Sequence, residues 1–483
     1  MVCNTPLVGR QQGNLITKPG GVPVAQYSVL AASADARLIF LSRDGDNFTD
    51  HREFGGQFVP VAYSQEEWKA HYMGIANGDL WKAFHPHTFE DVPESDSDTW
   101  NTYKGVNSRI ADAILDQTTD DPEATVWVHD FQMLSVGASL QAKHEDMRNT
   151  GFFWHIPFPK PEQMKKRLPP AVLQEVMQWF SAYKVVGFHT EEYAANYKTL
   201  ARELGIKEAS HVLVQPISVD VGVIQEKARR AFSLDFRFGD DRLNKIFGLG
   251  KHERVNPCIE MGTLERGDPI KGGIQKIRAK LMLAQNNPEI FADQTCVEVL
   301  SPSRMDDPAY AKYCEQMKEM GIALNEHLHM RTGRPDQYMH YIEQGLQYDD
   351  AIAALSLSDS ATVLSLDDGY NMVAAEVLNG WMAAGKGALG NKRMLLSSMT
   401  GFSMSLQENG YTHAIPTAQG PINSGALLKP LYHFMRGEVD PPKEQDLRAY
   451  FRTHTIQHWV ISNLEAISAS IPPLNFPSSR TKV

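Results

Sequence analysis

Short β-branched or aromatic runs alternate with longer helical patterns along almost the whole chain, and that alternation narrows the fold more than any other feature. Thr125-Val126-Trp127-Val128 predicts a buried strand ending at His129-Asp130. Gly151 to Trp154 predicts another, closed by His155-Ile156-Pro157-Phe158-Pro159, where two prolines forbid further ladder pairing. Val185 to Phe188 predicts a third, followed by a helix over about Glu191 to Leu204 with Thr190 as its N-cap. His211 to Gln215 predicts a fourth. Strands alternating with helices are the pattern of parallel sheets built from βαβ units, so the fold class is α/β.

A chain of 483 residues exceeds one ordinary domain. Gln225 to Arg254 is rich in Arg, Lys and Asp and carries no strand-like run until Asn256. It reads as helices and linker between two α/β domains, giving expected boundaries at 1–222, 223–254, 255–452 and 453–483. The second domain is expected to run through strands near Cys258–Leu264, Thr295–Leu300, Thr362–Leu366 and Met394–Ser398. Ile456, Trp459, Val460, Leu464 and Ile467 recur at helical spacing within Thr453 to Ser468, which predicts a final packing helix.

With 42% hydrophobic and 22% charged residues, the composition is that of a globular protein with ample core. A formal net charge of −11 argues against a nucleic-acid partner, because phosphate-backbone binding needs a basic face. The four cysteines (Cys3, Cys258, Cys296, Cys314) lie far apart, which predicts free thiols rather than disulfides or a zinc site. Met1 to Lys18 lacks the pattern of a signal peptide, and no run approaches a membrane span, so no membrane partner is expected and a cytoplasmic location is. The oligomeric state is left open.

Two segments carry the chemistry. Leu264-Glu265-Arg266-Gly267-Asp268-Pro269-Ile270-Lys271-Gly272 sits where a strand gives way to a helix-like run and offers two cations, Arg266 and Lys271. Asp368-Gly369-Tyr370-Asn371-Met372-Val373-Ala374-Ala375-Glu376 follows another strand and opens a helix. Ligands of open α/β sheets bind outside the carboxyl ends of the strands, and helix N-termini favour anions, so the pair reads as a diphosphate site with Glu376 within reach of a ribose. The plain alternative for each is a solvated loop and an ordinary helix start. Asp367 beside Asp368 makes that alternative less comfortable, since adjacent carboxylates repel unless one is compensated by a ligand. Gly385 to Lys392 only resembles a P-loop, and no H-E-x-x-H or G-x-S-x-G motif is present.

These residues resemble the trehalose-6-phosphate synthases and their relatives among retaining glycosyltransferases. Trp127-Val128-His129-Asp130 resembles the family's W-V-H-D, His155 to Pro159 its H-I-P-F-P, and Val186-Gly187-Phe188-His189-Thr190 its G-F-H-T. Glu265-Arg266, Asp268 and Lys271-Gly272 fit E/D-R-L-D-Y-x-K-G, and Asp368 to Glu376 fits D-G-M-N-L-V-x-x-E. The resemblance implies a GT-B fold, two Rossmann-like domains facing across a cleft. It implies that Arg266 and Lys271 neutralise a donor diphosphate, that Asp368, Gly369, Tyr370, Asn371, Met372 and Val373 hold donor sugar and phosphate, and that Glu376 binds the ribose. It further implies that His155 contacts the donor sugar, that Asp130 lies near the acceptor hydroxyl, and that Gly21 lets an N-terminal loop close over the diphosphate. Tyr72, Trp81 and Arg304, joined by Arg10, would grip the acceptor's phosphate, a role suited to arginine's planar fork.

The implied activity is transfer of glucose from UDP-, ADP- or GDP-glucose to a sugar phosphate or polyol phosphate, without a metal or other cofactor. Glucose 6-phosphate is the first acceptor expected and glycerol 3-phosphate the second; a pseudo-glycosyltransferase and a non-catalytic regulatory homologue are the rivals. The chain departs from the family at Gly267-Asp268-Pro269, at Tyr370-Asn371-Met372, in its opening strand Val2 to Val8, and around Ile39 to Leu41, where typical members carry a tryptophan near the acceptor.

Overall fold

A computed structural model describes residues 1–4, 8–11, 14–17, 21–43, 48, 50, 53–119, 121, 123–143, 149–233, 258–333, 337–469, 474 and 476. The chain forms two compact units: Met1–Ser218 together with His454–Val483, and Val219–Thr453. Most of the expected linker stretch, residues 234–254, and the strand-like run at Asn256 lie outside the described residues. The part that is described belongs to a helix, Val221–Ser233.

Among the described residues, the first unit holds nine strands: β1 (Val2–Cys3), β2 (Val8–Gln11), β3 (Asn14–Thr17), β4 (Leu38–Ser42), β5 (Phe58–Ala62), β6 (Val126–His129), β7 (Thr150–Phe153), β8 (Val185–Phe188) and β9 (His211–Val214). Seven of them form a parallel sheet in the order β5-β4-β1-β6-β7-β8-β9. Every residue of β6, β7 and β8 is buried, as expected of parallel strands covered on both faces. The opening strand is shorter than the sequence predicts. It ends at Cys3, and Val8 belongs to an antiparallel hairpin of β2 with β3. Ile39 to Leu41 lie inside β4 and are buried in its core.

Helix Glu191–Glu203 starts where expected, with the Thr190 hydroxyl accepting from Tyr193 N at 3.1 Å. The final helix, Ile456–Ile467, packs on the first unit's sheet, burying Trp459 against Trp127 and Phe153. Its close approach depends on Gly151, where a Cβ would stand 2.2 Å from Ile467 Cδ1. Lys184 Nζ donates to the Ile467 carbonyl at 2.8 Å, capping the helix C-terminus with a cation.

The second unit carries β10 (Cys258–Arg266), β11 (Gln294–Ser301), β12 (Met339–Glu343), β13 (Ser360–Val363), β14 (Arg393–Ser397) and β15 (Thr417–Ala418), all parallel in the order β12-β11-β10-β13-β14-β15. β13 stops three residues before the expected Leu366. Leu366 N instead donates to Ile270 O at 2.7 Å, so this stretch serves the loop after β10 rather than the ladder. In each unit the first strand lies between the second and the fourth of its parallel sheet, which is the doubly wound Rossmann order. The strand order therefore reverses between β1 and β6 in one unit, and between β10 and β13 in the other. Crevices at such reversal points are where ligands of open sheets bind.

Candidate active site

In the second unit, both predicted segments emerge at the β10/β13 reversal. Arg266 is the exposed last residue of β10. Asp268 then caps a short 3-10 turn, Pro269–Lys271, and Gly272 adopts φ +70° to start helix Gly273–Asn286. A side chain at Gly272 would also meet the Leu364 carbonyl at 2.3 Å, so two requirements select glycine here.

Lys271 Nζ reaches Asp368 Oδ2 at 2.7 Å and Glu265 Oε1 at 3.2 Å. Asp368 Oδ2 also accepts from Ser365 Oγ at 3.1 Å and Asn371 Nδ2 at 2.9 Å, and Asn371 Nδ2 donates to Glu265 Oε1 at 2.9 Å. Burial alone would raise the Asp368 pKa, but Lys271, Asn371 and Ser365 outweigh it and hold the carboxyl below its ordinary value. The same pairing outweighs burial at Lys271 and keeps the ammonium charged. The adjacent-carboxylate problem at Asp367-Asp368 is thus relieved at Asp368 by Lys271 of the chain itself. An ammonium carries three N–H groups, and these two carboxylates engage two. One N–H is left over from that pair.

Asn371, at φ +74°, caps helix Met372–Met382 by accepting from Ala374 N at 3.1 Å. The loop before it is braced by the next crossover: Gly401 N donates to Asp368 O at 3.0 Å and Phe402 N to Tyr370 O at 2.8 Å. Tyr370 is buried, its hydroxyl 3.1 Å from that of Tyr450, whereas Met372 and Val373 are partly exposed at the helix start. Glu376 is buried further along the helix; desolvation pushes its carboxyl up to about 7, although Tyr348 Oη donates to it at 3.3 Å.

Arg304, at φ +54° beyond β11, joins this cluster. Its Nη1 lies 3.3 Å from Asp268 Oδ2 and 2.5 Å from Tyr310 Oη, with the guanidinium 5.2 Å over the Tyr310 ring. Its side chain is only 4% exposed. The residue expected to hold an acceptor phosphate is therefore tied to Asp268 of the donor motif, a link the sequence did not indicate.

In the first unit, Asp130 follows β6 at φ +71°, a strained conformation rare outside glycine. Its Oδ1 accepts from His155 N at 3.3 Å, which joins the ends of β6 and β7. The His155 ring contacts His129, with Nε2 3.0 Å from His129 Nδ1, and its centroid lies 5.4 Å from that of His189. Burial holds all three imidazoles neutral, His189 down to about 3 and the other two well below their ordinary value. Only His155 of these three was assigned a role from the sequence; the W-V-H-D and G-F-H-T motifs contained the signal for the others.

Tyr72 lies in a π-helix, Lys69–Leu80, and Trp81 directly follows it. Bonding to the fifth residue needs more than four residues per turn, so positions nine apart return to one face; the α-helical period would place them on opposite faces. Tyr72 stacks on Trp68 at 5.8 Å, and Trp81 lies 5.6 Å from Phe131, the neighbour of Asp130. Arg10 falls on β2 and Gly21 opens helix Gly21–Ala32; Gly20 lies outside the described residues.

Paired doubly wound units, with charged residues gathered at a strand reversal, define a GT-B glycosyltransferase architecture. Residues 42–469 match the model for glycosyltransferase family 20, and the chain belongs to that family. It is 30% identical over 416 residues to the α,α-trehalose-phosphate synthase (UDP-forming) A of Dictyostelium discoideum, covering 83% of this chain and 52% of that protein. The chain thus spans about half the length of that curated relative. It is 26% identical over 438 residues to the trehalose-6-phosphate synthase of Mycolicibacterium smegmatis, covering 86% and 80%. A solved α,α-trehalose-phosphate synthase (UDP-forming) of Burkholderia xenovorans, in complex with glucose-6-phosphate, superposes with a TM-score of 0.77 at 19% identity over 96% of this chain and 98% of that one. Among the described residues, no helix is long and apolar enough to cross a membrane.

Proposed function

We propose that this chain is a retaining glycosyltransferase that moves glucose from a nucleotide-sugar, UDP-glucose first, to glucose 6-phosphate. The observation that carries the reading is the Lys271–Asp368–Asn371 network at the β10/β13 reversal, with an ammonium N–H to spare beside a helix N-terminus. The Dictyostelium relative is named for forming UDP, which supports the donor, and both relatives are named for making a trehalose phosphate, which supports a glucose phosphate as acceptor.

In this reading Arg266, Lys271 and the Met372 helix terminus stabilise the charge that builds on the diphosphate as the glycosidic bond breaks. The acceptor oxygen attacks the same face, and its proton passes to the departing phosphate, so no covalent nucleophile is needed. Asp368 and the backbone from Gly369 to Val373 hold donor sugar and phosphate, and Glu376 accepts from the ribose. His155 serves the donor sugar and Asp130 the acceptor hydroxyl; Tyr72, Trp81, Arg304 and Arg10 serve the acceptor phosphate. Because cationic side chains supply the electrostatics, we propose turnover without a divalent ion. Activity abolished by a chelator and restored by magnesium would contradict that.

The test pairs each of UDP-, ADP- and GDP-glucose with glucose 6-phosphate and with glycerol 3-phosphate, reading product mass and released nucleotide. A disaccharide phosphate is expected. Product only with glycerol 3-phosphate would move the assignment to the polyol phosphate, and nucleotide binding without any product would identify a non-catalytic homologue.

A further inference from the structure

We infer that His129 is a positioning residue that fixes the tautomer of His155, so that His155 presents Nδ1–H as a hydrogen-bond donor to an oxygen of the donor sugar. The identity of the ligand rests on the glycosyl-transfer reading above; the tautomer assignment does not.

Three observations build the relay. First, the backbone of His155 is held by its neighbours. Its N–H goes to Asp130 Oδ1, and the His189 ring bonds the His155 backbone from another strand end. His189 has a definite tautomer, because Ile217 N–H donates to its Nδ1 at 3.2 Å and leaves the proton on Nε2. Second, the ring of His155 bonds a second imidazole rather than a carboxylate or a carbonyl, through Nε2 to His129 Nδ1 at 3.0 Å. A neutral imidazole has one donor and one acceptor, so one of these two nitrogens carries the shared proton and the other is bare. Third, His129 is only 1% exposed and its Nε2 has no partner, enclosed beside Trp127 at 4.4 Å and Trp459 at 6.0 Å between ring centroids.

The third observation selects the direction. With the proton on His155 Nε2, His129 would carry its own proton on the enclosed Nε2, a buried N–H without an acceptor. The indole N–H groups of Trp127 and Trp459 beside it already lack acceptors, so a protonated Nε2 would add another orphan donor there, whereas a bare Nε2 adds none. With the proton on His129 Nδ1, the enclosed nitrogen is bare, Nδ1–H donates to His155 Nε2, and the His155 proton resides on Nδ1. His155 is then a fixed donor, suited to a sugar hydroxyl oxygen. The orienting partner sits one strand away on β6, next to Asp130.

Nitrogen-15 spectra of the full chain labelled at histidine, assigned by difference against single-histidine variants, read the tautomers directly. The expected spectrum has His155 protonated on Nδ1 and His129 bare at Nε2, with the His155 Nδ1 signal moving on addition of UDP-glucose. His129→Asn keeps a donor amide near Nδ1 and should stay within a few-fold of wild type. His129→Asp offers only acceptors, should move the His155 proton to Nε2, and should lower turnover by about 10- to 100-fold, the usual cost of losing a partner that orients a functional imidazole. His155 protonated on Nε2 in the wild-type protein would overturn the inference, as would a His129→Asp variant that keeps wild-type turnover with His155 protonated on Nε2 alone. Absence of glycosyl transfer with every donor would instead defeat the functional reading, and the wild-type spectrum would still decide the tautomer.

Discussion

Lys271 shows how a residue flagged by sequence acquires its chemistry from structure. A lysine in a strand-to-helix loop is commonly solvated; here two carboxylates, Asp368 and Glu265, fix its position and charge. Removing a cation that stabilises a leaving diphosphate typically costs ~10²-fold or more in turnover, which is the expectation for Lys271→Ala and for Arg266→Ala. Near-normal rates in both would remove the diphosphate assignment. Glu376 adds a pH signature. Its carboxyl, raised to about 7 by burial, accepts a stronger, charge-assisted hydrogen bond from a ribose hydroxyl once ionised, so affinity for UDP-glucose should improve from pH 6 to pH 8. Glu376→Gln should flatten that profile, and an unchanged profile in the variant would show that another group titrates. Arg304 calls for a gentler substitution than alanine. Asp268 is fully buried against it, so Arg304→Ala should lower stability by about 3–5 kcal/mol in denaturant unfolding, as expected when a buried ion pair loses one partner. Arg304→Lys keeps the charge but loses the planar fork; it should fold and raise KM for a phosphorylated acceptor more than for UDP-glucose.

At the scale of elements, the sequence disclosed strand ends and helix starts wherever a residue type has one dominant use. The Thr190 cap, the proline-closed end of β7 and the glycine–asparagine entry to helix Met372–Met382 were all legible for that reason. Pairings that depend on distant partners were not. Lys276 and Lys280 are buried, paired with Glu298 at 2.9 Å and Glu260 at 2.8 Å across β11 and β10. No local pattern distinguishes a lysine with a buried partner from a solvated one. The hairpin of β2 and β3, the edge strand β12 and the two-residue β15 were likewise too short or too weakly patterned to announce themselves. The brace on the loop at residues 368–371 is also invisible in sequence: a Cβ at Gly401 would lie 1.9 Å from the Gly369 carbonyl, a backbone atom that cannot rotate away. Gly401→Ala should therefore displace residues 368–371, cost about 1–3 kcal/mol in stability and weaken UDP-glucose binding. Unaltered nucleotide affinity in a folded variant would separate this loop from the donor site.

The whole molecule carries a pH dependence set by its buried histidines. Burial lowers His71 to about 4 and His189 to about 3, and lowers His129 and His155 well below the ordinary range. Unfolded histidines take up protons as pH falls through about 6.5 while these four do not, so each removes stability as the solution is acidified. Glu376 and Asp79, raised by burial to about 7 and about 6, act in the opposite sense, because the native state holds their protons where the unfolded chain does not. Among these groups the four histidines outnumber the two raised carboxyls, so stability should fall as pH drops from about 6 to about 4.5. Denaturant midpoints that hold steady or rise over that interval would contradict the burial of the histidine cluster.

The central claim is that the chain transfers glucose with retention onto a phosphorylated acceptor. It is tested most directly by giving the wild-type protein UDP-glucose with either glucose 6-phosphate or free glucose, and by reading product mass together with anomeric configuration by NMR. The account predicts an α-linked disaccharide phosphate from the phosphorylated acceptor. It predicts an efficiency with free glucose that is lower by tens- to thousands-fold, as expected when charge-assisted hydrogen bonds of about 1.5–3 kcal/mol each are forfeited. Equal use of the two acceptors, or a β-linked product, would contradict it.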